Sequence, residues 1–160
     1  MTVDDLAEYG MEPMTDETIR RFLAAQSVGV LGLPTETEPL LRPLSFWFDG
    51  DSALYFVYVL GEQSRKETVT NTAETARFLV YSAETPFQWR SVLLCGSVGE
   101  VPESELSALL EDMEIRWRPA LFERASLEEP TRLYRFEITA QSGIKHLGLP
   151  PGLESHKDTH

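Results

Sequence analysis

Residues 40–59, LLRPLSFWFDGDSALYFVYV, decide the fold. Leu40, Leu44, Phe46 and Phe48 share one face of an extended strand. Asp49-Gly50 is a strong tight-turn signal, and the run Ala53 to Val59 behind it turns back as a second strand. The stretch therefore predicts an antiparallel hairpin with one apolar face, in which a one-residue slip would turn every core side chain outward.

Upstream, Val28 to Leu33 is a short β-branched run ended by Pro34. Before it Thr15 can cap a helix whose first turn carries Asp16 and Glu17. Ile19, Phe22 and Leu23 fall on one side of that helix, which should end near Gln26. Downstream, Ser64 opens a modest helix to about Ala73. Arg77 to Ser82 and Ser91 to Val101 return to strand character, with Thr85-Pro86 between them and Gly96 suggesting a bulge or a close backbone approach. Ser104 to Trp117 is the clearest helix, with Leu106, Leu109, Leu110, Met113 and Trp117 in one stripe before Pro119. Arg132 to Thr139 is the last expected strand.

No internal repeat and no regular strand–helix alternation disfavour a doubly wound parallel sheet. A mainly β fold is expected, a six-stranded antiparallel barrel with flanking helices that hides its sheet edges. The organisation reads as a flexible N-terminal segment 1–14, a barrel domain 15–149 and a flexible tail 150–160.

Fourteen Lys and Arg against 26 Asp and Glu among 160 residues give a net charge of −12. Phosphate backbones and anionic membranes repel such a surface, so nucleic acid and membrane are not the expected partners. The start has no basic region before an apolar one, and the longest apolar run, Ala53 to Leu60, is far short of a bilayer span, which leads to a cytoplasmic expectation. Only Lys66, Lys145 and Lys157 are lysines, a composition similar to that of halophilic proteins. Cys95, the single cysteine, is expected as a buried free thiol and no metal site is expected.

No hydrolytic triad, phosphate loop or paired metal-ligand motif is present. Ser64-Arg65-Lys66 stands at an expected helix start after a strand and a turn, where free N–H groups and the dipole favour an anion such as phosphate. Ser64 and Glu67 also satisfy a capping box, with Arg65 and Lys66 on a solvated face. Arg42 has the parity of Leu40 and Leu44 and wants a partner, either a ligand or an acidic side chain across the barrel. Trp89-Arg90 could stack on a flat ligand or simply pack. His146, beside Lys145 and after Gly143, reads as an exposed loop histidine, with a substrate-side role as the other reading.

Arg42-Pro43-Leu44-Ser45-Phe46, the turn at Asp49-Gly50, Leu54 to Tyr58, Ser64-Arg65-Lys66, Ala76 to Val80 and Arg90 to Gly96 together resemble the pyridoxamine 5'-phosphate oxidase-like flavoproteins over roughly Thr15 to Gly148. The resemblance implies a split β-barrel homodimer with FMN between subunits and a small-molecule substrate. It places Arg65 and Lys66, with Ser64, on the FMN phosphate, and Arg42, Pro43, Leu44 and Ser45 along the flavin. Tyr58 and Val59 fall approximately at the strand end that touches the cofactor, and Ser91 stands where the family commonly places a glutamine reaching the flavin of the partner subunit. The segment Gly143 to Pro151 departs from the oxidases' basic C-terminal segment. The small members of the family, nitroimidazole-resistance-type reductases and general-stress flavoproteins, are therefore the closer likeness. An FMN-dependent oxidoreductase using NAD(P)H, a non-catalytic flavin binder, and a deazaflavin- or haem-binding relative all stay open.

Self-repulsion at −12 is screened by salt, the Debye length falling to about 3 Å at 1 M. The melting temperature is expected to rise along a salt series from low to molar concentration, read by calorimetry; a flat midpoint contradicts the salt-adapted reading.

Overall fold

The computed structural model describes residues 10–59, 75–113 and 131–148. Eight strands form one antiparallel sheet: β1 (Met11–Pro13), β2 (Val28–Leu33), β3 (Leu40–Ser45), β4 (Trp47–Phe48), β5 (Ala53–Val59), β6 (Ala76–Thr85), β7 (Gln88–Glu100) and β8 (Thr131–Leu147). Their order is β3-β2-β6-β7-β8-β5-β4, with β1 also on β8. Among the described residues two helices accompany them, α1 (Asp16–Ala25) and α2 (Glu103–Asp112).

The stretch 40–48 is one run in sequence but serves both ends of the sheet. Leu40–Ser45 pair with β2, whereas Trp47 and Phe48 pair with Tyr55 and Leu54 of β5. Between them the Phe46 N–H donates to the Ser27 carbonyl at 2.9 Å. The expected hairpin exists only in its last two residues, and the change of partner at Phe46 curls the sheet into a split barrel. Asp49 holds the turn: its Oδ1 accepts N–H bonds from Asp51, Ser52 and Ala53, and Gly50 takes φ +89°.

The interior is aromatic. Phe78 is fully buried and meets Phe46 edge-on at 5.5 Å, Phe56 stacked at 6.0 Å and Phe136 edge-on at 6.0 Å between ring centroids. Two glycines make room for the rings. A Cβ at Gly29 would lie 2.2 Å from Phe78 Cε1, and one at Gly96 would lie 2.0 Å from the Glu137 carbonyl oxygen and 2.7 Å from Phe136 Cε1. At Gly96 the register with β8 slips, Cys95 facing Ala140 and Gly96 facing Ile138, so Thr139 is an extra residue whose hydroxyl donates to the Cys95 carbonyl. The close approach expected at Gly96 is thus a β-bulge on its partner strand.

Helix α1 is capped by Thr15 and sends Ile19, Phe22 and Leu23 into the core. Helix α2 covers the outer face of β5 and the first half of β8, over Ala53, Tyr55 and Leu133. It ends at Asp112 rather than Trp117, because Met113 turns extended and drops its side chain into that second core. Arg135 bonds Glu105 Oε2 at 2.7 Å and the Tyr55 hydroxyl at 3.1 Å, tying α2 to the barrel; the Glu105 bond, foremost, raises its pKa above the usual arginine value.

Three further expectations change. Met11–Pro13, inside the segment 1–14 expected to be flexible, pairs with β8, and Met14 is buried. The last strand runs to Leu147 instead of Thr139, since the bulge restores an inward parity for Gly143, against which Met14 and Ile19 pack. Cys95 is half-buried and faces outward. The helix expected from Ser64 to Ala73 and the tail 150–160 lie outside the described residues.

Gly96→Ala is expected to cost about 1–3 kcal/mol or more, because backbone must shift. Gly99→Ala, with open space around it, should stay within about 0.5 kcal/mol. Urea unfolding of the pair checks this.

Candidate functional site

Helix α2 leaves the other half of the barrel's outer surface bare. In cross-strand rows this face carries Pro43, Val30, Leu79 and Leu93, then Leu41, Gly32, Arg77 and Cys95, and at its far end Tyr81, Ser91 and Ile144. Among the described residues no helix covers it, and Leu41 at 59%, Tyr81 at 58% and Val28 at 54% are its most exposed apolar members. An apolar sheet face of this extent marks an interaction surface.

The sequence candidates fall around it in separate groups. Pro43 and Ser45 point onto the face from β3, an edge strand, where a proline is tolerated because the open side needs no ladder donor. Arg42 keeps the parity of Leu40 and Leu44 but is exposed at the open seam, and among the described residues its guanidinium donates to the adjacent Leu41 carbonyl alone, at 3.0 Å. It has no acidic partner among the described residues, contrary to the cross-barrel pairing considered from sequence. Leu44 is half-buried against the core. Tyr58 and Val59 close β5, paired with Arg132 and Thr131, and β3 and β5 come into contact across the seam. Ser64, Arg65 and Lys66 lie outside the described residues.

Trp89, Arg90 and Ser91 diverge, as neighbours on a strand must. Ser91 lies on the bare face between Tyr81 and Ile144. Two strands separate β7 from β3, so Ser91 and Ser45 stand about 14 Å apart across the sheet. Arg90 instead lines a cleft at the barrel mouth with Phe22, Gln26, Ser82, Glu84, Gln88, Trp89 and Leu147. Trp89 is half-buried and stacks on His146, centroids 5.6 Å apart and planes 23° apart.

His146 corrects the loop reading. It is 5% exposed, within β8, and its Nδ1 lies 2.5 Å from the Phe87 carbonyl oxygen. A carbonyl only accepts, so Nδ1 carries the proton. Lys145 is 3.7 Å from Glu12. The period-two run Ser142, Ile144, His146 was the signal for this strand, masked by the one-residue bulge upstream. Tyr81, exposed beside Ser91, carried no motif and was missed altogether. Among the described residues no cluster of His, Cys, Asp and Glu is placed to hold a metal ion, and no helix is long and apolar enough to cross a membrane.

A family model described as pyridoxamine 5'-phosphate oxidase matches residues 15–145. No curated protein matches in sequence. Among solved structures, an FAD-binding protein from Mesorhizobium loti is similar at TM-score 0.68 and 20% identity, covering 86% of this chain and 99% of its own. The FAD and heme binding protein from Mycobacterium smegmatis is similar at TM-score 0.66 and 17% identity, covering 88% and 75%. A candidate 5-nitroimidazole antibiotic resistance protein from Bacteroides thetaiotaomicron is similar at 0.58 and 11%, covering 85% and 89%. At these identities the likeness is one of fold.

His146→Ala removes a buried hydrogen bond and a ring contact and is expected to cost about 1–3 kcal/mol. Ser91→Ala, whose hydroxyl has no partner among the described residues, should stay within about 0.5 kcal/mol. Equilibrium denaturation distinguishes them.

Proposed function

The chain belongs to the pyridoxamine 5'-phosphate oxidase family, and on that premise we propose that it binds a flavin nucleotide on the bare sheet face, between two copies of itself. The observation that carries this reading is the separation of its candidates. Arg42, Pro43 and Ser45 flank one end of an exposed apolar face and Ser91 the other, about 14 Å away. One ring system held by β3 is out of reach of Ser91 of the same chain, whereas a second copy packed face to face can supply it. A flat apolar surface with polar groups at its margins suits an isoalloxazine ring.

The chain's own residues then divide the work. Arg42 offers an exposed guanidinium that, among the described residues, donates to a neighbouring carbonyl alone, available to balance negative charge at the ring. Leu41 and Pro43 shield a bound ring from water. Arg65 and Lys66, with Ser64, hold the phosphate. When bound, a flavin supplies two-electron redox chemistry. In this reading the protein is an oxidoreductase that takes electrons from NAD(P)H and passes them to a small flat acceptor. FMN is the cofactor the sequence motif suggests; FAD is a second reading, favoured by structurally similar proteins described as FAD-binding. Oxidation of pyridoxamine phosphate falls outside this reading: the segment Gly143 to Pro151 departs from the oxidases' basic C-terminal segment, and His146 within it is buried against the Phe87 carbonyl.

The visible spectrum of the purified protein, with mass analysis of what denaturation releases, tests the cofactor; a colourless protein that takes up neither FMN nor FAD refutes the reading. Lys66→Ala is expected to weaken FMN by about 1.5–3 kcal/mol while leaving riboflavin unchanged. Leu79→Glu, a charge at the centre of the bare face, should convert a sedimenting dimer to monomer and release the flavin. Turnover with NADH or NADPH and a quinone or nitroaromatic acceptor, without pyridoxal phosphate formation, checks the reaction.

A further inference from the structure

The cleft at the barrel mouth opens beside the C-terminal end of α1, on the opposite side of the sheet wall from Ser91. It has a volume of about 100 Å³, the share of some three liquid waters. Its polar lining is mixed in sign. Arg90 and Glu84 both line it, yet they do not pair with each other, and neither side chain has an ion pair or hydrogen bond with any other described residue.

Two features of the backbone fix this arrangement. The register between β6 and β7 slips between Ala83 and Thr85, so Glu84 is an extra, unopposed residue, and a bulge re-aims the side chain it carries. Gln26, on the cleft's other wall, is the C-cap of α1, a helix with no basic residue in its last turn, so the negative end of its dipole is uncompensated there. A ligand cation belongs on the Glu84 and Gln26 side and a ligand anion on Arg90, whose fork binds carboxylates in bidentate fashion. A lone anion meets Glu84, and a lone cation meets Arg90.

We propose that this cleft binds a small zwitterionic α-amino acid, with its carboxylate on Arg90, its ammonium toward Glu84 and the end of α1, and its short side chain against Phe22. The volume of the cleft suits glycine, alanine and their like. The site is separate from the flavin face and does not depend on that assignment.

The full-length protein as purified is titrated with L-alanine and glycine, and with acetate and methylammonium as the two half-ligands, by calorimetry and ligand-observed NMR. The expected result is saturable amino-acid binding at least about tenfold tighter than either half-ligand. It should be weakened at least about tenfold by Arg90→Gln and, separately, by Glu84→Gln, with circular dichroism unchanged. Both side chains are exposed, so either variant alone suffices if the other folds poorly. Acetate binding as tightly as alanine and indifferent to Glu84→Gln would make this a plain anion site and overturn the proposal, as would the lack of saturable amino-acid binding in the wild-type protein.

Discussion

Four phenylalanines inside a narrow barrel impose the constraint on which the rest depends. Phe78 is enclosed by Phe46, Phe56 and Phe136, which come from the bend after β3, from β5 and from β8. Their volume fits only because Gly29 and Gly96 carry no side chain where the rings pass. Close packing then fixes which strands face one another, since any register that moved a ring would leave a void or force an overlap.

From that core the two halves of the outer wall acquire different characters. Where β5 and the start of β8 turn outward, Tyr55, Leu133 and Val101 make a second apolar layer, and α2 lies on it, tethered through Arg135 and Glu105. Where β3, β2, β6 and β7 turn outward, comparable apolar side chains have no such cover among the described residues. The proposed function belongs to that asymmetry: a wall apolar on both sides is stable only when something lies against it.

Much of the fold was legible in the sequence because it rests on local chemistry. Thr15 with Asp16 and Glu17 announces α1, Asp49-Gly50 announces the turn, and alternating apolar residues announce β2, β5, β6 and β7. The change of partner at Phe46 was not legible, since residues 40–48 alternate without interruption and only tertiary closure decides which neighbour each half takes. His146 was misjudged for a related reason, as the strand carrying it resumes after a bulge that breaks the period. The candidate site was legible as residue types around Arg42, Ser45 and Ser91. Their distribution over two ends of one face was not, because sequence separation carries no information about how many strands intervene.

The extra residue in β8 works as a phase shifter for everything that follows it. Were Thr139 taken into the regular ladder instead of bulged out, each later position would exchange faces: Ile144 and His146 would turn inward, and Gly143 outward. Met14 and Ile19 pack against Gly143, and the Met14 N–H donates to its carbonyl at 2.7 Å. The seat of α1 thus depends on one bulged residue in a strand far from it in sequence. A straightened strand that kept Thr139 in the ladder would unseat the helix without touching a residue of it and would erase the proposed cleft at the barrel mouth as well, whereas deleting Thr139 would leave every later face as it is.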